Sequence, residues 1–167
     1  AIHWLERAPG PHRGRSHADR FREVSFATAS RHGEPFDQLI NERTYLPNVV
    51  TRFCTQELKI RTMAHYMRSC GYEHWVNVIG LRADERGRVS NALASIGRER
   101  WSLAFPLCDA GLTKEDVLAY WREQPFDLAL KGYEGNCDLC FLKGLPKKIR
   151  ILRENPAAAE WWESAEA

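Results

Sequence analysis

The sequence contains no apolar run approaching the length of a membrane span, and its N-terminal stretch lacks the apolar core of a secretory leader. These features predict no membrane partner and a cytoplasmic, reducing setting, where cysteines stay thiols rather than disulfides. Charge of one sign is also scarce. Against 24 Lys and Arg stand 22 Asp and Glu, and the formal net charge of +2 is too small to argue for nucleic acid by itself. Basic residues do gather at Arg13, Arg15, Arg20 and Arg22 and again at Lys147, Lys148, Arg150 and Arg153, but most such clusters are solvated faces. No internal repeat or low-complexity tract is present, which sets aside a repeat architecture. An initiating Met is missing too: Ala1-Ile2-His3-Trp4-Leu5-Glu6 reads as a strand already under way, and so predicts a fragment.

What is present is an ordinary globular composition. With 167 residues, 44% hydrophobic and 28% charged, residues 1–167 fit one domain able to bury a core. The chain is organised around Gly135-Asn136-Cys137-Asp138-Leu139-Cys140-Phe141-Leu142-Lys143, where two thiols two residues apart follow turn-forming residues. Such a pair serves equally as a redox couple, half of a zinc site or part of an iron-sulfur site, and spacing alone does not choose. Cys54, in Arg52-Phe53-Cys54-Thr55-Gln56-Glu57-Leu58-Lys59, is the candidate third thiol. Cys70 closes a helical pattern and Cys108 follows an apolar run, so both read as small packing residues.

Taken in order, residues 2–5 read as a buried strand and residues 7–19 as a polar loop punctuated by Pro9, Gly10, Pro11 and Gly14. His3, His12 and His17 in this region have no tight ligand spacing. Residues 21–28 are ambiguous between strand and helix. Phe36, Leu39 and Ile40 have helical spacing that ends by Tyr45-Leu46-Pro47. From Thr55, the positions Leu58, Ile60, Met63, Tyr66 and Met67 form a helical stripe closed by Gly71, so the helix begins directly after Cys54 with its free N–H groups near that thiol.

Residues 75–81 suit a strand buried on both faces, which implies a parallel sheet. Arg82 to Arg88 then form a charge-dense turn at that strand's carboxyl end, where open α/β sheets place ligands. There Arg82 and Arg88 are candidate forks for phosphate or sulfate oxygens, oriented by Asp84 and Glu85. A second strand candidate spans 101–107. Thr113 caps a following helix with a buried stripe at Val117, Leu118 and Trp121, and Pro125 ends it. A basic helical segment surrounds Ile149 and Leu152. The pair Trp161-Trp162 reads as packing rather than base stacking.

Four ordered segments carry a family likeness. Arg52-Phe53-Cys54-Thr55 with Leu58-Lys59; Ile79-Gly80-Leu81-Arg82-Ala83-Asp84-Glu85; Pro106-Leu107-Cys108-Asp109-Ala110-Gly111-Leu112-Thr113 with Asp116-Val117; and the Gly135 to Lys143 stretch together resemble the phosphoadenosine phosphosulfate reductase family. The resemblance covers most of the chain and implies an α/β, doubly wound parallel sheet of the adenine nucleotide alpha-hydrolase-like class, present here in part. The family's Ser-Gly-Gly-x-Asp-Ser phosphate loop and its C-terminal Glu-Cys-Gly-type tail do not occur in this sequence. The expectation is a fragment lacking the N-terminal nucleotide-binding strand, loop and helix.

The likeness further implies a 4Fe-4S cluster held by Cys54, Cys137 and Cys140. Lys59, Arg82 and Arg88 would neutralise the sulfate or phosphate end of an adenylyl substrate, with Asp84 and Glu85 beside them and a thioredoxin-type reductant as partner. No catalytic nucleophile is assigned. Three thiolates leave one iron open, as in relatives that thiolate nucleic acid, so ATP-dependent sulfur transfer to tRNA or DNA is the rival enzyme reading. A third reading is a non-catalytic zinc module of Cys54, Cys137, Cys140 and His65. His65 lies about 16 Å along a helix from Cys54, which leaves the fourth zinc ligand to another partner.

Overall fold

A computed structural model describes residues 2–10, 13–94, 97, 99–135 and 137–166. The architecture is mixed α/β with two small two-stranded sheets, one antiparallel and one parallel. The chain divides into two compact units. One comprises the chain up to residue 71 together with residues 130 onward, and the other is the intervening 72–129.

The discontinuous unit opens with β1 (Trp4–Arg7), paired antiparallel with β2 (Phe21–Val24) so that Trp4 faces Val24 and Arg7 faces Phe21. The expected first strand is therefore shifted two residues onward, and the ambiguous segment after the loop begins as its partner strand. A 3-10 turn (Ala18–Arg20) leads into β2. Helix α1 (Glu34–Arg43) carries the fully buried Leu39. It is fixed to β1 by Arg7, only 5% exposed, whose two terminal nitrogens donate to Glu42 at 3.1 and 2.5 Å.

Next comes a helix in three pieces: α2 (Phe53–Thr55), a π-helical segment (Gln56–Arg61) and α3 (Thr62–Ser69). Two expectations change here. Cys54 lies inside the first turn instead of ahead of it. The wider π turn, in which Thr62 Oγ1 donates to the Glu57 carbonyl at 2.8 Å, also re-phases the stripe. Glu57 and Thr62 are buried as a result, while Met63 is exposed. Gly71, at φ 87°, ends the helix as its spacing predicts, donating to the Arg68 carbonyl at 3.1 Å. Tyr66 on α3 meets Phe21 of β2 edge-on, with ring centroids 5.5 Å apart.

After residue 130 the same unit contains α7 (Leu145–Glu154), whose Ile151 is buried, a 3-10 turn (Pro156–Ala159) and α8 (Glu160–Glu166). Trp161 stacks on Phe36 with centroids 5.1 Å apart, and its indole N–H donates to Asp37 at 2.6 Å. That aromatic pair is packing, as read.

The second unit is a strand–helix–strand crossover. β3 (Trp75–Val78) and β4 (Trp101–Ala104) pair in parallel, Trp75 opposite Trp101, with α4 (Arg86–Leu93) between them in sequence. The parallel pairing agrees with expectation, whereas burial on both faces does not. Val76 and Val78 are 57% and 69% exposed, because one face of this two-stranded pair is open among the described residues. Two short helices complete the unit, α5 (Pro106–Asp109) and α6 (Lys114–Arg122). Thr113 caps α6 with Asp116, as the sequence predicts. Leu118 and Trp121 are exposed rather than buried, and the Trp121 ring instead sits 5.5 and 5.7 Å from Tyr120 and Phe126. No described helix is long and apolar enough to cross a membrane.

Candidate functional site

The thiols of interest all lie in the discontinuous unit. Cys54 rides on the first turn of α2 and is half-buried. Cys137 follows Gly135, whose φ of 87° is a backbone state that glycine adopts without a Cβ clash. Asn136 lies outside the described residues. Two successive turns then place the second thiol, the Cys140 amide donating to the Cys137 carbonyl at 3.2 Å and the Lys143 amide to the Cys140 carbonyl at 2.8 Å. Cys140 is half-buried and Cys137 is exposed as a residue.

Electrostatics tie these positions together. Burial of the Cys137 sulfur pushes its thiol above the ordinary value, the charges of Cys140 and then Cys54 push in the same direction, and Lys59 opposes them. Residue exposure and sulfur desolvation differ for Cys137, and the sulfur's surroundings decide thiol chemistry. Cys54, Cys137, Cys140 and Lys59, distant in sequence, thus share one electrostatic neighbourhood. Among the described residues, no three His, Cys, Asp or Glu side chains form a ready-made ion-ligating group. Cys70 is exposed and Cys108 half-buried, which corrects the expectation that Cys70 packs inside. The reason is its place: it follows the last turn of α3, at the surface.

The other expected residues belong to the second unit. Its parallel pair extends through Ile79, whose amide donates to the Ala104 carbonyl at 2.9 Å, and the chain then turns through a 3-10 segment (Ala83–Glu85). That turn follows the carboxyl end of β3 and is anchored by the Ala83 amide on the Leu112 carbonyl at 2.8 Å. The Arg82 Nε donates to Asp84 at 2.9 Å, another of its nitrogens lies 3.1 Å from Glu85, and Arg88 also pairs with Glu85. The Arg82 hydrogen bond holds the Asp84 carboxyl below its usual range. The structure therefore joins Arg82, Asp84, Glu85 and Arg88 into one ion-pair network, while Lys59 belongs to the unit of the thiols.

Three features escaped the sequence. Glu57, 5% exposed, accepts from Arg43 at 2.5 Å and Arg61 at 2.8 Å, a double ion pair three residues after Cys54 in the chain. Its i,i+4 spacing to Arg61 is a readable signal, but the π turn that buries it is not. His65, considered for zinc, instead meets His17, with the two Nδ1 atoms 2.9 Å apart. His12, weighed beside His17, lies outside the described residues. Finally, Lys143 Nζ and Thr51 Oγ1 are shut off from solvent and have no hydrogen-bond partner among the described residues.

This chain is similar to a phage protein. The relative is the uncharacterized nin region protein ORF290 of Escherichia phage lambda, 30% identical over 115 residues. The matched region covers 68% of this chain and 37% of the relative, so the chain spans little more than a third of that protein's length. No family model matches the chain, and no solved structure matches it.

Proposed function

We propose that the chain is part of a phosphoadenosine phosphosulfate reductase-like protein, in which Cys54, Cys137 and Cys140 hold an iron-sulfur cluster and Lys59, Arg82 and Arg88 are the cations for the oxygens of an adenylyl sulfate. The observation that carries this reading is the Cys137 thiol, which feels Cys140, Cys54 and Lys59 at once although these residues come from opposite parts of the sequence. The strand–helix–strand crossover with parallel strands supports, at the level of the fold, membership in a doubly wound sheet of the adenine nucleotide alpha-hydrolase-like class.

The donor set fits such a group in kind. Thiolates are the soft ligands that Fe–S clusters, zinc and Cu(I) select, and a cation beside them favours the deprotonated form that ligation requires. A bound cluster would supply iron with one-electron and Lewis-acid character. The chain's own part is electrostatic. Lys59 lowers the cost of gathering thiolates, and cations at the substrate oxygens stabilise charge that develops when a thiolate, supplied by a thioredoxin-type reductant, bonds to the sulfonate sulfur as the S–O bond to the nucleotide phosphate breaks and that phosphate leaves. Arg82 and Arg88 are the cations proposed for that task. Asp84 and Glu85 hold their guanidinium groups in place.

One observation favours the sulfur-transfer alternative. Phe53, beside Cys54, is buried and packs edge-on against Tyr45, with ring centroids 5.1 Å apart, so it is a core residue where a paired cysteine would supply a fourth thiolate. Three thiolates leave an open iron, which suits ATP-dependent delivery of sulfur to tRNA or DNA. The zinc reading loses His65, which is engaged with His17.

The test is anaerobic purification with measurement of iron, sulfide, zinc and visible absorption, repeated for Cys137→Ala and Cys140→Ala. A broad iron-sulfur band that both variants lose is the expected outcome. A colourless protein with stoichiometric zinc would sink both enzyme readings.

A further inference from the structure

The histidine pair of the discontinuous unit plays no part in the function proposed above. His17 immediately precedes the 3-10 turn (Ala18–Arg20) that leads into β2, and His65 lies within α3. Both are half-buried. Their Nδ1 atoms are 2.9 Å apart and their ring centroids 5.1 Å apart, with 29° between the ring planes. That centroid separation is nearly the nitrogen separation plus the two ring radii, so the rings meet edge to edge and each Nδ1 is aimed at the other. Two ring nitrogens so placed share a hydrogen bond, and only one of them can carry the hydrogen.

Proton counting follows from this geometry. In the neutral pair, one Nδ1–H donates to the lone pair of the other ring. A first added proton goes to the donor ring's Nε2, which leaves the bond in place and makes it charge-assisted. A second must go onto the accepting Nδ1. It removes the acceptor and sets two cations head to head, so a lost bond and like charge act together. The pair holds one positive charge readily and resists two.

The surroundings point the same way. Helix α3 packs against the 3-10 turn, β1, β2 and the π-helical segment. Each carboxylate on those elements is already engaged. Asp19 accepts from Ser16 Oγ at 2.6 Å, Glu23 lies 2.6 Å from His3 Nδ1, Glu6 takes Arg22 and Ser30, and Glu57 takes Arg43 and Arg61. Among the cations, Arg20 donates to the Arg15 carbonyl, Arg7 pairs with Glu42, and Lys59 acts on the thiols. Helix α3 itself contains no acid, and its Arg68 stands three residues past His65, the spacing of neighbours on a helix. A second charge on the pair is therefore opposed from its own helix as well.

We propose that His17 and His65 form a proton-operated latch, in which one shared proton holds the 3-10 turn and β2 against α3 and protonation of both facing nitrogens releases them. The latch lies on the seam between hairpin and helix, where Phe21 of β2 also meets Tyr66 edge-on. The same helix continues back to the turn that bears Cys54. The sign of the pH dependence follows from the count of protons. Two free imidazoles titrate together near about 6.5, whereas the latched pair keeps one proton across that range. Below that value the unfolded chain binds more protons than the folded one, so the stability that the pair contributes is lost as pH falls. Above it the folded pair binds more, so the contribution declines again toward that of the neutral bond. This inference stands independently of the cluster.

The experiment follows the imidazole nitrogens of the isotope-labelled 167-residue chain by NMR from about pH 8 to about pH 5 with a metal chelator present. Thermal midpoints and amide hydrogen exchange are measured over the same range. The expected result is a titration in two coupled steps, one above and one below about 6.5, sensed by both rings. Exchange in β2 should rise several-fold on the acid side. His65→Leu should turn the His17 titration into a single step and lower the midpoint by about 2–4 °C near pH 6.5, a difference that shrinks as pH falls. Rings that each titrate in one independent step overturn the latch, and exchange unchanged by acid overturns its opening. A coupling that the chelator abolishes also overturns it, because a metal ion would then be joining the rings. If His65→Leu does not fold by circular dichroism, the titration of the unaltered chain decides by itself.

Discussion

Arg7 and Glu42 show how a single buried charge commits a residue to one partner. The guanidinium is almost wholly out of water, and Glu42 takes both of its terminal nitrogens while also accepting from the Gly10 amide at 2.9 Å, leaving the buried Arg7 Nε without a hydrogen-bond partner among the described residues. Removing the carboxylate strands a buried cation, so Glu42→Ala should destabilise the protein by about 3–5 kcal/mol, measured by urea unfolding. Glu154 is a different case, exposed and surrounded by Lys131, Tyr133 and Arg150. The Lys131 and Tyr133 hydrogen bonds pull its carboxyl from the ordinary 4.5 down to about 2. A depressed carboxylate adds stability above its unfolded value and loses it as protonation proceeds. The thermal midpoint should therefore fall as pH drops from about 4.5 toward 2, and Glu154→Gln should flatten that part of the profile. Neither partnership is legible in the sequence, because Arg7 and Glu42 are 35 positions apart and charge alone does not say which of 24 cations meets which of 22 anions.

At the scale of elements, the turn that presents Cys137 depends on Gly135. Its φ of 87° is strained for any L side chain, even though an added Cβ would meet nothing within 4 Å. Gly135→Ala should cost about 1–2 kcal/mol. The same variant should also carry less iron per chain, measured on anaerobically purified protein, because the thiol that the turn presents to the proposed cluster would be misplaced. Local elements were the most legible part of the sequence. The α1 pattern, the Thr113 cap, the Gly71 stop and the parallel pair all follow from spacing and turn chemistry, since each is decided within a few residues. The π segment is not readable in this way. An α-helical stripe drawn through Leu58 and Met63 assumes an unbroken turn, and the wider one swaps Met63 outward for Glu57 and Thr62. Burial at β3 and α6 was also misread, because apolar composition reports what a surface can bury and not what covers it.

For the molecule as a whole, the division into two units is the feature composition could not reveal. Length and hydrophobicity suit one domain, yet contacts gather residues up to 71 with those from 130 onward and set 72–129 apart. The thiols of the candidate site follow this division. All three lie in the discontinuous unit, one before the intervening segment and two after it, while the Arg82 network lies in the segment itself. The order of the cysteine and arginine motifs is plain in the sequence, but their spatial grouping is not, because linear order does not state which stretches share a core.

That division has a consequence for the ribosome. Cys54 emerges long before Cys140, and at about 5–20 residues per second the interval is roughly 4 to 17 s. Throughout that time the first thiol waits without its companions, while the intervening strand–helix–strand unit has all of its own residues and can fold first. A centre built from Cys54, Cys137 and Cys140 can therefore be completed only after Cys140 has emerged. A pause in synthesis between residues 72 and 129 would prolong the time that the first thiol spends without its companions, rather than merely slow the chain's folding.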